Sequence, residues 1–94
     1  MKSILQNEKL CFICGATQNL EEHHVFSGTA NRKLSEKYGL KAWLCHEHHN
    51  ESPMGVHHNR SYELLLKRYA QSEAMKHYDW STEEFIKIFG KNYL

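Results

Sequence analysis

The sequence feature that most constrains this chain is a set of cysteines and one histidine spaced as C-x2-C and C-x2-H. The first pair is Cys11 and Cys14, and the second pair is Cys45 and His48. Three thiolates and one imidazole form a common ligand set for tetrahedral structural zinc, and Gly15 permits the positive φ that such a tight turn often uses. We therefore predict that Cys11, Cys14, Cys45 and His48 bind one structural zinc ion.

Two other uses of the cysteines fit the sequence less well. A redox Cys-x-x-Cys motif would require a strand before it and a helix directly after it, whereas residues 16–19 are typical of a turn. Disulfides are disfavoured because the 3 cysteines leave one thiol over and no secretory signal precedes them. We expect a reducing, cytoplasmic location and no membrane partner, since no apolar run approaches about 20 residues.

The chain is short enough for a metal ion to matter to its stability. With 94 residues it is expected to form one domain, residues 1–94, whose small core alone is marginal. Ligands that converge only in the folded state convert metal-binding energy into folding energy. The formal charge of +1 provides no overall positive field, so composition by itself does not indicate a nucleic-acid partner.

Local patterning predicts a small α+β fold. Residues 20–26 and 40–44 are expected to form two short antiparallel strands, joined by a basic loop with one helical turn around residues 33–37. Residues 5–10 are expected to form a frayed or short helical entry. If residues 20–26 are a strand, His23 and His24 point to opposite faces unless the strand is bulged, so the two side chains should have different roles.

The C-terminal part is predicted to be helical. Asn59 is a candidate N-cap for a core-facing helix, whose apolar residues recur at helical spacing: Tyr62, Leu65, Leu66, Tyr69 and Ala70. Ser81 and Glu84 have capping-box spacing, with Trp80 and Phe85 placed as a hydrophobic staple, and Gly90 is placed to end that last helix. Phe85, Ile88 and Phe89 are expected to pack it.

The sequence EHHV at 22–25, LCHEHH at 44–49 and GVH at 55–57 together resemble the HNH, or ββα-metal, endonucleases. The similarity is closest to the small members with a flanking zinc knuckle that bacteriophages and prophages carry, and it spans roughly residues 11–60. It implies a zinc-stapled ββα-metal core at about 8–72, a helical part at about 73–94, and a phage protein or one of the bacterial host cytosol.

The resemblance also implies an activity and the residues that carry it. His24 corresponds to the general base, and His23 and His49 correspond to ligands of a catalytic divalent ion, Mg²⁺, Mn²⁺ or Zn²⁺. His57 is the best match for a further ligand, although His58 beside it could take its place. The implied reaction is metal-dependent hydrolysis of DNA phosphodiester bonds, in which a bound cation acts as Lewis acid and the base takes a proton from water.

The sequence departs from the family at one position. The middle asparagine of the motif would fall near Leu40 or Lys41, and Asn31 lies too far upstream to replace it. Either another residue orients His24, or the chain is related to a nuclease but only binds and no longer cuts. We favour the first alternative. Arg60, Lys41 or His58 could supply charge to the phosphate, whereas His46, His58 and His77 are most simply ordinary side chains.

Two rival functions remain at this stage. One is a non-catalytic, treble-clef-like zinc module that binds nucleic acid or a protein, which would hold one tight zinc ion and no second divalent ion. The other is a nuclease that cuts only together with a recombination or replication protein.

Overall fold

The computed structural model describes residues 1–51 and 53–94, which form the predicted α+β fold from a two-stranded antiparallel sheet and several helices. The elements follow in the order β1 (Leu20–His24), α1 (Thr29–Tyr38), β2 (Lys41–Cys45), α2 (His46–Asn50), α3 (Arg60–Tyr78) and α4 (Thr82–Phe89). The radius of gyration is 12.7 Å, near the value of about 12 Å expected for a compact domain of this length.

Strands β1 and β2 confirm the predicted hairpin-like pairing. Leu20 pairs with Cys45 at one end of the ladder and His24 pairs with Lys41 at the other. Side chains alternate along β1, so Glu21 and His23 share one face of the sheet and Glu22 and His24 share the other. The predicted division of the two adjacent histidines between opposite faces therefore holds.

The connection between the strands is more regular than predicted, because α1 is a ten-residue helix and not a single turn. Gly28 precedes it with a φ of 91°, and Gly39 ends it in the left-handed conformation with a φ of 71°. Buried Ser35 accepts a hydrogen bond from the Phe26 N–H at 3.1 Å and donates one to the Phe26 carbonyl at 2.9 Å. These bonds tie α1 to the end of β1, a long-range contact that local apolar spacing does not reveal.

The predicted helix at residues 5–10 is wrong. This segment is irregular, and its Gln6 side chain accepts a hydrogen bond from the Trp43 N–H of β2 at 2.7 Å. Just before it, the Ile4 N–H donates to the Gly39 carbonyl at 2.9 Å. Leu5, the first residue of this segment, is buried in the hydrophobic core. Backbone groups at the outer edge of β2 need hydrogen-bond partners, and this irregular segment supplies one from the Gln6 side chain.

Helices α3 and α4 begin and end largely as predicted. The side chain of Asn59 accepts from the Tyr62 N–H and that of Ser81 accepts from the Glu84 N–H, both at 3.1 Å, and Gly90 ends α4 with a φ of 89°. Phe85 and Phe89 are buried against Phe26, as expected for the last helix, and Ile88 is partly buried beside them.

The buried face of α3 differs from the prediction. Leu66, Ala70 and Ala74 are buried as expected of a core-facing helix, but Leu65 is 54% exposed. Tyr69 is 37% exposed and contacts the ring of Phe12. The apolar stripe predicted from spacing was therefore too wide. No helix in residues 1–51 or 53–94 has the length and apolar character to cross a bilayer.

Candidate metal centres

The four predicted zinc ligands converge at one point of the fold. The Sγ atoms of Cys14 and Cys45 lie 3.7 Å apart, and His48 Nδ1 lies 3.9 Å from Cys11 Sγ and 3.2 Å from Cys45 Sγ. A tetrahedral zinc ion with Zn–S bonds of about 2.3 Å would separate its ligand atoms by about 3.5–3.8 Å. The Cys3His group therefore fits a zinc ion in both donor type and spacing.

A tight turn and a strand end hold this group together. The Gly15 N–H donates to the Cys11 carbonyl at 2.8 Å, and Gly15 has the predicted positive φ of 77°. Cys45 is the last residue of β2 and the N-cap of α2, so His48 follows it by one helical turn. No helix directly follows Cys14, because β1 is the next element, and this excludes the thioredoxin-like alternative within the described residues.

The environment of Cys11 favours the thiolate that zinc binds. Burial works to raise the pKa of this thiol, but the backbone N–H groups of Cys14, Cys45 and Ile13 point at its sulfur and lower that pKa to about 7. All three cysteines are free thiols. Cys11 is thus chemically suited to give up its proton to a bound cation, whereas burial raises the pKa of the Cys45 thiol.

His23, His49 and His57 form a second group of potential metal ligands. One nitrogen from each ring lies within 4.8 Å of the others, and the Nε2 atoms of His49 and His57 are 3.0 Å apart. Nitrogens bound about 2.1 Å from one ion lie about 3.0–3.4 Å apart, so the spacing suits a common cation. Three nitrogen ligands would leave coordination positions open for water or substrate.

Each of the three histidines is placed by a different element. His23 comes from the middle of the sheet on β1, and His49 comes from α2, directly after the zinc ligand His48. His57 lies in the turn after α2, where its N–H donates to the His49 carbonyl at 3.4 Å and the neighbouring Val56 N–H donates to the His48 carbonyl at 2.7 Å. His57, and not His58, therefore joins the group.

Glu21 completes the surroundings of His49, and sequence reasoning missed it. His49 Nδ1 donates to Glu21 Oε1 at 2.7 Å, and His46 and Asn50 also hydrogen bond to the same carboxylate. These bonds to His49 and His46 hold the pKa of Glu21 below its usual value. A carboxylate that accepts from one ring nitrogen leaves the other nitrogen, Nε2, available as a metal ligand.

His23 is uncharged at neutral pH. Its ring is only 7% exposed, and burial together with the proximity of His49 and His57 lowers its pKa to about 3. Burial likewise lowers the pKa of His57. Neutral imidazoles are the form that binds a metal ion.

His24 occupies the opposite face of β1, yet its side chain reaches the same open cavity. That cavity has a volume of about 400 Å³, and its lining includes His23, His49, His57, His24 and Arg32. His24 Nε2 lies 3.1 Å from Glu36 Oε1 on α1. The four histidines singled out by the sequence are therefore brought to one concave surface.

The residues considered for the missing asparagine and for phosphate binding have other roles. Leu40 is fully buried, Lys41 pairs with Glu22 and Glu36, and the side chain of Asn31 donates to the Phe89 carbonyl at 3.3 Å. Arg60 is paired with Glu63 on α3. Exposed Arg32, which the sequence did not single out, is the basic side chain at the cavity.

The remaining histidines contribute no ligand atom to either centre. His46 is exposed and pairs with Glu21 and Glu51, and His77 is exposed near the end of α3. Neither these nor His58 belongs to a group of potential metal ligands in the part of the chain that the structure describes.

No protein-family model, no curated protein and no solved structure matches this chain to a significant degree. The interpretation of the two centres therefore depends on their geometry and on the residue pattern.

Proposed function

We propose that this protein is a metal-dependent endonuclease of the HNH type, with a zinc-stapled ββα-metal core, that hydrolyses DNA phosphodiester bonds. The observation that carries the proposal is the group of His23, His49 and His57 ligand atoms within 4.8 Å of one another, in a cavity that His24 also lines. Three nitrogen ligands beside a separate histidine provide the two parts that such hydrolysis requires, a cation site and a proton acceptor.

The neighbouring Cys3His group supports the proposal because it explains how so small a chain holds that geometry. His48 and His49 are consecutive residues of α2 and belong to the two different groups. A zinc ion at the first group would fix α2, and thereby the backbone that carries His49. The structural ion and the reaction are thus assigned to separate sites with one shared helix.

Each residue then has a defined part in the reaction. A divalent cation at the histidine group would supply Lewis-acid stabilisation of the charge on the phosphate and on the leaving 3′ oxygen. His24 takes the proton from the attacking water, a contribution that is typically about 10²- to 10⁴-fold. Glu21 holds the ring of His49 by a 2.7 Å hydrogen bond, and Arg32 attracts the DNA phosphate at the rim of the cavity.

The test is cleavage of supercoiled plasmid and of a labelled single strand by the purified zinc-containing protein. We expect cutting with Mg²⁺ or Mn²⁺ and none with EDTA. His24→Ala should reduce the rate by at least about 10²-fold, because the proton acceptor is lost. Its melting temperature and zinc content should remain those of the wild type, since His24 is not among the Cys3His ligands.

His77→Ala is the matched control, because His77 is an exposed histidine on α3 outside both groups. Normal cutting by His24→Ala would remove His24 from the mechanism. No cutting by the wild type with any cation would favour a non-catalytic zinc module. Cutting that begins only on addition of a recombination or replication protein would instead identify a partner-dependent nuclease.

A further inference from the structure

The carboxylate of Glu36 lies where it can determine which nitrogen of His24 carries the proton. His24 Nε2 is 3.1 Å from Glu36 Oε1, whereas the nearest oxygen of Glu22 is 3.9 Å away, too far for a hydrogen bond. An ionised carboxylate only accepts hydrogen bonds. The proton in this contact therefore belongs to His24 Nε2, and the lone pair of the neutral ring belongs to Nδ1.

Lys41 holds Glu36 in place for this role. Its ammonium lies 3.1 and 2.9 Å from the two carboxylate oxygens, and it also contacts Glu22 at 3.3 Å. Lys41 is buried on β2, directly opposite His24 in the strand register. Glu36 Oε2 also accepts from the Met1 amino group at 2.8 Å, so Lys41 is one of two cationic partners that hold this carboxylate.

Glu22, His24 and Glu36 are also close enough together to be considered as a third cation site. That use is disfavoured, because the Lys41 ammonium already lies between the two carboxylates and supplies the positive charge. Burial opposes the charged state of Lys41, but the hydrogen bonds to Glu36 and Glu22 outweigh it and raise the Lys41 pKa. The ammonium therefore stays in place as a donor.

We propose that Glu36 is a positioning residue that fixes His24 as the Nε2–H tautomer and leaves Nδ1 as the atom that accepts the proton from water. The inference rests on the proposed function for its catalytic part. It also supplies a partner for His24 in a sequence whose motif has Leu40 and Lys41 near the expected asparagine. Lys41 then contributes by holding Glu36.

Glu36→Gln is the informative substitution because the side chain keeps its shape, while one of its two accepting oxygens is replaced by a donating NH₂ group. The Lys41 ammonium can pair only with the amide oxygen, so the amide NH₂ turns toward His24. An NH₂ donor requires a lone pair on Nε2 and therefore favours the Nδ1–H tautomer. Glu22→Gln is the matched control, since Glu22 also pairs with Lys41 but makes no hydrogen bond to His24.

The first readout is the tautomer itself, measured without any reaction. Long-range ¹H–¹⁵N correlation spectra of the zinc-loaded, ¹⁵N-labelled protein at about pH 9 report which ring nitrogen of an uncharged histidine is protonated, and the His24→Ala spectrum assigns the signals. We expect Nε2–H in the wild type and in Glu22→Gln, and a shift toward Nδ1–H in Glu36→Gln. Nδ1–H in the wild type, or no change in Glu36→Gln, would overturn the inference.

The second readout is the kinetics of cleavage. The wrong tautomer of an active-site histidine costs up to about 10⁴-fold in kcat in the serine-protease case. We expect Glu36→Gln to lose about 10²- to 10⁴-fold in kcat with little change in KM, and Glu22→Gln to stay near the wild type. A changed tautomer with an unchanged kcat would overturn the catalytic role of Glu36.

The two proposals fail in distinguishable ways. If the wild type cuts nothing, the nuclease proposal fails while the spectra still decide whether Glu36 fixes the His24 tautomer. If the wild type cuts and the spectra show no effect of Glu36→Gln, the nuclease proposal stands and the positioning role is rejected.

Discussion

At the scale of single residues, two carboxylates on the sheet and on α1 orient two histidines of the cavity. Glu21 accepts from His49 Nδ1, and Glu36 lies at hydrogen-bond distance from His24 Nε2. In the mechanism proposed above, the first arrangement leaves Nε2 of His49 for a cation, and the second leaves Nδ1 of His24 for a proton. Similar contacts would then prepare neighbouring rings for different chemistry.

The ligands were predictable from the sequence, whereas these carboxylates were predictable only in part. The Cys3His group followed from its spacing, because the ligand types are rare and their spacing is characteristic. His23, His49 and His57 were instead implied by the resemblance to the HNH endonucleases. Glu21 precedes His23 by two residues on a strand, so alternation alone would have placed it on the same face. Glu36 had no comparable signal, since its position depends on the ten-residue helix α1, of which the sequence pattern predicted only one turn around residues 33–37.

Arg32 provides a residue-level test of where the substrate phosphate binds. It is the exposed basic side chain at the cavity, while Lys41 is already paired. Arg32→Ala should raise KM several-fold with little change in kcat, and it should reduce the salt slope of log(kcat/KM) by about 1. Lys87→Ala, an exposed substitution on α4, is the control. If the wild type, Arg32→Ala and Lys87→Ala have equal KM values and equal salt slopes, Arg32 does not bind the substrate phosphate.

At the scale of elements, helix α2 and the turn that follows it organise both centres. The helix carries His48 and His49, and the turn returns Val56 and His57 to hydrogen bond with the carbonyls of those same two residues. The backbone therefore passes from the Cys3His group at His48 to the histidine group at His49, and it returns to the histidine group at His57. A small displacement of this turn would separate His57 from His49 without affecting the cysteines.

Gly55 gives a test of that dependence. A Cβ at this residue would lie 2.8 Å from the Glu51 carbonyl oxygen and 2.9 Å from Asn50 backbone carbon, so the turn must move in Gly55→Ala. We expect a loss of about 10-fold or more in kcat/KM, because errors of about 1 Å in a site cost up to 10²-fold. Zinc content should be unchanged.

Ser61→Ala, an exposed substitution at the start of α3, serves as the control for Gly55→Ala. For both variants, the zinc content is measured by metal analysis and kcat/KM is measured from cleavage rates. Wild-type activity in Gly55→Ala would show that the close packing of this turn is not needed to place His57.

The two strands and helices α3 and α4 were predictable because their signals are local. Asn59, Ser81 and Gly90 mark helix ends through hydrogen bonds or backbone angles within a few residues of themselves. The N-terminal segment was not predictable, since it lies along β2 through bonds such as that from the Trp43 N–H to Gln6, thirty-seven positions apart in the chain. In this segment, hydrogen bonding to the edge of β2 outweighs the local helix propensity.

At the scale of the whole molecule, the two centres and the aromatic core occupy different regions of a small fold. Phe26 packs against Phe85, Phe89 and Tyr93, and this cluster joins the end of β1 to α4. The Cys3His group joins the N-terminal turn to β2 and α2. The core of a chain this small is marginal by itself, so zinc binding should contribute directly to folding.

The central claim is that one short helix serves two separate metal centres, and the most direct test is to count bound ions. Native mass spectrometry and calorimetric titration with Mn²⁺ should find one tightly held zinc ion and one weaker divalent ion in the wild type. His57→Ala should lose only the weaker ion. Cys14→Ala should lose the zinc ion and show a lower melting temperature, because the ligand set is broken.

A single ion in the wild type with no second binding event, or loss of the zinc ion in His57→Ala, would contradict the account.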